Sequence, residues 1–558
     1  NVTNLTTITT GNGTNKITID KNATASSLAN INLGNGTNTL DLSVSGATNG
    51  ITVSGGSGTD NINLSGANGK IATLNAGENA TNISLKANDN TITTINANDK
   101  GSTINIASGS GTITTIEGKS GLDSISVGKG NTISEIKTGT GAISIDGEGT
   151  ISKVTATESA TGNINIGQNT KTTIAELDTG KNTNQTINFD KSSVITTLKA
   201  ASGGTITLNG NGEVSTLDLT GNSTENITIA NGASVKNFTT DQNGSDNITV
   251  ASGGKLDVTD TSKNLNFSGG TSKLEVQSGG DISTITTITM GSGSGSVTLK
   301  DGAKADKLAT INLGDGNNTL DLGISGATQG ITVSGGSGTD TIKVSGAGKI
   351  TTLNAGANKT DITLENGGSI STINANNNAS STIEVSGSGH ITKIAGNTQD
   401  DTITLGKDIT VDNIDTGANN KANINGGTIT TLKTTSVGNV AVTVDKQAHI
   451  TTLNTSNSNG AVTISGASTV DSLTAAGAVT ISGASTVNSL TTTGSGDITL
   501  SGAGTTLKND LNGKSGANNK ITIADGAKVD GTINLNAAQD SDLQNSKTGD
   551  QVIVSGAN

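Results

Sequence analysis

Residues 55–63, reading Gly-Gly-Ser-Gly-Thr-Asp-Asn-Ile-Asn, and residues 335–343, reading Gly-Gly-Ser-Gly-Thr-Asp-Thr-Ile-Lys, have the composition of a turn that holds a hard metal ion. Gly55, Gly56 and Gly58, and likewise Gly335, Gly336 and Gly338, leave the backbone free to present its carbonyl oxygens. Asp60 and Asp340 add a carboxylate, and the Ile two residues on is placed to enter a core. Oxygen ligands of this kind suit Ca²⁺, and both stretches match the calcium-binding nonapeptide G-G-x-G-x-D-x-U-x at every fixed position. Each match is half a site, because such turns work in tandem copies about 18 residues apart. The same residues also serve as a plain Gly/Asp turn. Weaker relatives surround Asn38, Asp123, Asp246 and Asp315. Calcium is therefore the cofactor expected, with these twelve positions as its candidate residues.

Other chemistry finds less support. His390 and His449, the two histidines, each directly precede an Ile-Thr segment and read as exposed turn residues. Thr pairs such as Thr93-Thr94, Thr114-Thr115 and Thr351-Thr352 form a row of hydroxyls like that of an ice-binding surface, but Glu135, Lys153, Glu176, Lys236 and Asp412 interrupt it. No clustered acids sit with Arg or aromatic residues in the manner of a polysaccharide-cleaving cleft, so the chain is expected not to be an enzyme and no catalytic residue is assigned.

The candidate turns must be positioned by what lies between them, which is a repeat. Short apolar-x-apolar segments begin at Leu40, Ile62, Ile83, Ile104, Ile125 and Ile143 and continue through Ile248, then resume from Leu320 to Ile521. Apolar residues alternate there with Thr, Asn or Ser, the period-two pattern of a half-buried strand. A second column interleaves, at Ile71, Ile92, Ile113, Ile133 and onward, with apolar residues at i and i+3, as in Ile92 and Ile95. A flat strand would send those to opposite faces, whereas a chain bent between them sends both inward. Small residues such as Ala76, Ala97 and Ala200 fit the narrow end of that corner. The prediction is an all-β fold, a long parallel β-helix (β-solenoid) of about 20 residues per coil and about 26 coils. At ~4.8 Å per coil such a stack is on the order of 125 Å long. Coil lengths that vary favour a right-handed over a left-handed winding.

Composition agrees. The 558 residues contain no Pro, which would interrupt a ladder in which every strand donates backbone N–H groups to the next coil. Gly is too frequent and β-branched residues too dominant for helices. There is no Cys, so neither disulfides nor thiolate zinc sites exist. A net charge of −13 with every base a Lys excludes nucleic acid as a natural partner. Only 1% of residues are aromatic, which removes stacking platforms for bases or sugars. No apolar run is long enough for a transmembrane helix.

Residues 31–60 return at 311–340 with 25 of 30 identical, so the array contains a large duplication. Four regions are expected: 1–255, the first half of the solenoid; 256–308, an irregular junction; 309–537, its duplicate; and 538–558, a less regular tail. The opening on Asn1, without Met or a polar cap, predicts a chain that continues beyond this sequence.

Taken with the nonapeptides, this composition resembles surface-layer (S-layer, surface-array) proteins that Gram-negative bacteria export by type I secretion. The resemblance implies a secreted, extracellular protein that assembles with its own copies into a two-dimensional lattice on the bacterial cell surface, with Ca²⁺ stiffening its coils. It also implies attachment to a cell-surface glycan or lipopolysaccharide through regions outside this chain. Autotransporter and two-partner-secreted adhesins, whose passengers are long β-helical stalks, are the alternative resemblance.

Overall fold

The computed structural model describes residues 2–555 except 45, 47–49, 67–68, 158–159, 181–183, 201–202, 222, 241–243, 259–262, 268–269, 325, 327–329, 377–378, 418–420, 436, 515–518 and 536–550. Among these every regular element is a strand, and the strands pair in parallel. The strands wind into a β-solenoid of about 23 turns at roughly 21 residues per turn. Fewer turns form than the 26 expected because some coils are long. Asp246 and Ser272, on adjacent turns, are 26 residues apart, and the strand after Lys520–Ala524 that pairs with it is Gln551–Ser555.

Two compact units divide the chain. One comprises Asn1–Lys263 with Phe267–Ile282, the other Asn264–Asn266 with Ser283–Asn558, so the division falls within residues 256–308. Each unit has its own stacked core. Of the expected tail, residues 538–550 and 556–558 lie outside the described residues, while Gln551–Ser555 forms an exposed strand.

Within one turn the local logic is plain. The strand Asp60–Leu64 alternates buried and partly exposed residues, so Ile62 and Leu64 point inward and Asn61 and Asn63 outward. The next strand, Lys70–Asn75, buries Ile71 and Leu74. Its ladder to Thr91–Asn96 pairs Ile71 with Ile92, then resumes at Thr73 with Thr94. The residue between is the bend that turns i and i+3 to the same side, and Ala76, Ala97 and Ala200 are buried just beyond it. Each such aliphatic side chain contributes about 1.5–3 kcal/mol on burial.

The second column stacks in the register its sequence implies: Ile71, Ile92, Ile113, Ile133, Ile151, Ile174 and Ile195 lie over one another. The first column does not do so throughout. Ile83 pairs with Ile106 rather than Ile104, Ile125 with Ile145 rather than Ile143, and Ile187 with Leu208 rather than Ile206. Ile362 and Ile424 make the same slip, onto Val385 and Val444. A two-residue offset leaves the inward face inward, since side-chain period along a strand is two. Both residues of each Ile-x-apolar pair are equally suited to the core, and the length of the preceding turn decides which is used.

Candidate functional site

The two nonapeptide turns occupy equivalent places in the two units. Each leads into a first-column strand that begins with the Asp: Asp60–Leu64, stacked on Asn38–Leu42, and Asp340–Ser345, stacked on Thr319–Leu322. The glycines answer to close stacking. A side chain on Gly56 or Gly58 would overlap the carbonyl oxygens of Gly34 and Gly36 in the turn below, and Gly336 and Gly338 lie against Gly314 and Gly316 in the same way. A side chain on Gly55 or Gly335 would strike the Asp carboxylate itself.

Asp60 is 1% exposed and Asp340 fully buried. One carboxylate oxygen of each is held: Asp60 Oδ1 accepts from Asn38 Nδ2 at 2.9 Å, and Asp340 Oδ1 from the Asn318 backbone N–H at 3.3 Å and side-chain Nδ2 at 3.2 Å. The other oxygen, Oδ2, is buried without a hydrogen-bond partner in both. Burial pushes both carboxyls above the usual carboxylate range, opposed by the Asn38 amide at Asp60 and by Asn318 at Asp340, and least by the nearby Gly56 and Gly336 N–H groups, which do not reach hydrogen-bond geometry.

Oδ2 does not stand alone. A Cβ on Gly356 would lie 2.8 Å from the Gly336 carbonyl oxygen, 3.0 Å from Asp340 Oδ2 and 3.5 Å from the Gly338 carbonyl oxygen. Three oxygens thus converge beside a glycine of the turn above. In the first unit the same place is taken by Gly77, against the Gly56 carbonyl and Asp60 Oδ2. An orphaned carboxylate oxygen beside backbone carbonyls is the donor set of a hard cation, so the residues present fit Ca²⁺. It would be held by Asp340 with the carbonyls of Gly336 and Gly338, and by Asp60 with that of Gly56. Ca²⁺ takes six to eight oxygens in general, so water completes such a shell. The chemistry it supplies is charge neutralisation and cross-linking of adjacent turns.

The weaker candidates divide by chemistry. Asn38 is fully buried and donates to Asp60 rather than resembling it. Asp123 is buried with both oxygens satisfied, Oδ1 by the Ser102 N–H at 2.9 Å and Oδ2 by the Lys119 N–H at 3.0 Å. Its duplicate Asp401, not singled out in the sequence, receives the Ser381 and Asn397 N–H groups at 3.1 and 3.3 Å. These two are turn-capping carboxylates. Asp246 is buried, and its backbone N–H donates to Ser272 Oγ at 3.2 Å. Asp315 is exposed, and its Oδ1 accepts from the Ser337 N–H at 3.2 Å. The residue that sequence reasoning missed is Asn15, in Gly11-Asn-Gly13-Thr-Asn15, whose Gly-x-Gly-x-Asn spacing equals that of Gly34 to Asn38.

The remaining candidates are surface features. His390 Nε2 lies 2.8 Å from Asp412 Oδ1, and His449 Nε2 lies 3.1 Å from Asp471 Oδ2, each bridging adjacent turns. The Thr row passes at Thr115 into Glu135, Lys153 and Glu176, stacked in register. Lys153 and Lys199 both pair with Glu176, at 3.1 and 2.8 Å, so that face is an ion-pair ladder and not a hydroxyl array. Among the described residues no three His, Asp or Glu side chains gather as a metal cluster, and no helix is long and apolar enough to cross a membrane.

Compared with known protein families, with curated proteins and with solved structures, the chain finds no match in any of the three.

Proposed function

We propose that this chain is a structural component of an extracellular bacterial coat, a subunit that assembles with its own copies into a surface lattice. The observation that supports this reading is the order of its outer faces. Outward side chains of successive turns are tied to one another: Asn82 donates to Asn61 at 2.9 Å, Asn105 to Asn82 at 2.9 Å, Asn96 to Asn75 at 2.8 Å, and Asn374 to Asn354 at 2.9 Å. Short polar groups held at one strand spacing give flat, regular sides, and such sides suit repeated lateral contact between copies. Calcium at Asp60 and Asp340 belongs to the same reading, as a stiffener of adjacent turns.

The test is electron microscopy of the purified protein on a lipid monolayer, in millimolar Ca²⁺ and then in chelator. An ordered lattice that dissolves on chelation is the expected result. Isolated particles in both conditions overturn the lattice and leave a β-helical adhesin stalk as the better account.

A further inference from the structure

The turns stacked below the two Asp-bearing turns have the same Gly-x-Gly-x spacing but end in Asn, and there the side-chain amide itself lies between the carbonyls. Asn38 Nδ2 lies 3.2 Å from the Gly34 carbonyl oxygen, 3.1 Å from that of Gly36 and 2.9 Å from Asp60 Oδ1. Asn318 Nδ2 is ringed by the carbonyl oxygens of Gly314, Asp315 and Gly316 at 3.2, 3.3 and 3.0 Å, with Asp340 Oδ1 at 3.2 Å. Asn15 repeats the pattern one turn lower: its Nδ2 meets Gly11 O at 2.9 Å, Gly13 O at 2.7 Å and Asn38 Oδ1 at 2.9 Å. In every case a single nitrogen donor has three or four oxygens as its hydrogen-bond partners. An all-oxygen cage with one carboxylate is what a hard cation selects; here an N–H₂ group supplies the positive end instead.

We propose that Asn38 and Asn318 are amide plugs, side chains that stand in the place of a cation between stacked turns and so confine metal binding to the Asp60 and Asp340 turns above them. The same contact ties up Oδ1 of each Asp, which leaves one oxygen, Oδ2, for a metal. Replacing either plug by Asp removes the internal donor, keeps the side chain's size, and sets a second carboxylate beside the first. The turn then becomes a cation site. This rests in part on the calcium reading of Asp60 and Asp340, and the experiment separates the two.

Full-length protein, stripped with chelator, is titrated with CaCl₂ by calorimetry, and bound ⁴⁵Ca²⁺ is counted by equilibrium dialysis. The variants are Asn38→Asp, Asn318→Asp and Asn38→Ala. Each Asn→Asp change is expected to add one bound Ca²⁺ per chain, or to tighten an existing one at least tenfold, and to make the melting midpoint depend more steeply on Ca²⁺. Asn38→Ala, which removes the donor without adding charge, is expected to lower the midpoint in chelator. An Asn→Asp variant that folds yet gains no calcium, or one that stays unfolded with and without Ca²⁺, overturns the proposal, as does an unchanged midpoint for Asn38→Ala. If the parent protein binds no Ca²⁺ but Asn38→Asp does, the plug stands and the calcium reading falls. If the parent binds and neither Asn→Asp variant gains, the calcium reading stands and the plug falls.

Discussion

The orphaned oxygen of Asp60 makes an unusual prediction: Asp60→Asn, a change of one atom at a fully packed site, should stabilise the metal-free protein. In the native turn Oδ2 is buried without a partner. An amide nitrogen in its place would lie near the Gly56 carbonyl, and the shared Gly-x-Gly-x spacing would set the Gly58 carbonyl beside it, in the way that Asn38 Nδ2 faces the carbonyls of Gly34 and Gly36 at 3.2 and 3.1 Å. Two new hydrogen bonds contribute about 0.5–1.5 kcal/mol each, and relief of a buried unsatisfied oxygen about 1–3 kcal/mol. The gain is then about 2–6 kcal/mol. At ~2.1 cal/mol/K of unfolding entropy per residue, a cooperative unit of about 280 residues gains roughly 2 °C per kcal/mol, so its melting transition should rise by about 4–10 °C. Differential scanning calorimetry in EDTA at pH 7 measures this directly, with Asp340→Asn as the equivalent change in the second unit. On the calcium proposal Ca²⁺ raises the midpoint of the parent protein, and the double variant should lose that rise. A lower midpoint in EDTA, or a calcium shift that survives in the double variant, would refute the reasoning that Oδ2 is an unmet acceptor.

Three further outcomes follow from other parts of the structure. Because burial raises the carboxyl groups of Asp60, Asp340 and Asp123 above the ordinary value of 3.8, their native forms hold protons more tightly than the unfolded chain does. The contribution of these groups to stability in chelator should therefore rise as pH falls through the raised values and level off below 3.8, and Asp60→Asn with Asp340→Asn should remove most of that rise relative to the parent in thermal melts across the range. Ala467 and Ala484 carry φ of 59° and 60°, in the left-handed region, so Ala467→Gly and Ala484→Gly should each raise stability by about 0.5–1 kcal/mol in urea titrations; a loss would show that the methyl groups pack usefully. Leu353→Ala, at a fully buried second-column position, should cost about 2–5 kcal/mol, and hydrogen exchange should place the loss in strands that neighbour Lys349–Asn354.

Much of this architecture was legible because parallel stacking writes itself into the chain as a period. The i and i+3 spacing of Ile71 and Leu74 specified a bend, and the ladder does bend between them. The first column was harder for a definite reason. In Thr103-Ile104-Asn105-Ile106 both Ile residues are inward-facing, so composition leaves two registers equally good, and Ile83 takes the second. Site chemistry was legible only in part. The sequence ranks Asn38 as a weak version of Asp60, yet in space the two have opposite roles, one donating and the other accepting. Likewise Asp123 looks like a ligand by its Gly neighbour, and only the Ser102 and Lys119 amides show that its charge is already answered. The Asn38 and Ser102 contacts come from the neighbouring turn, 22 and 21 residues away, and no local motif contains that information.

The in-register ladder also bears on how a molecule of this kind lengthens. Residues 461–470 recur without change at 478–487, and in space the copied strand residues sit against their own originals: Val462 beside Val479, Ile464 beside Ile481, Thr469 beside Thr486 and Val470 beside Val487. A segment copied in tandem thus arrives with a surface already matched to it, apolar over apolar and hydroxyl over hydroxyl, and needs no compensating change elsewhere to fold. Genetic duplication of one coil is then close to a neutral event, and the molecule's length is a property that inheritance can adjust one coil at a time.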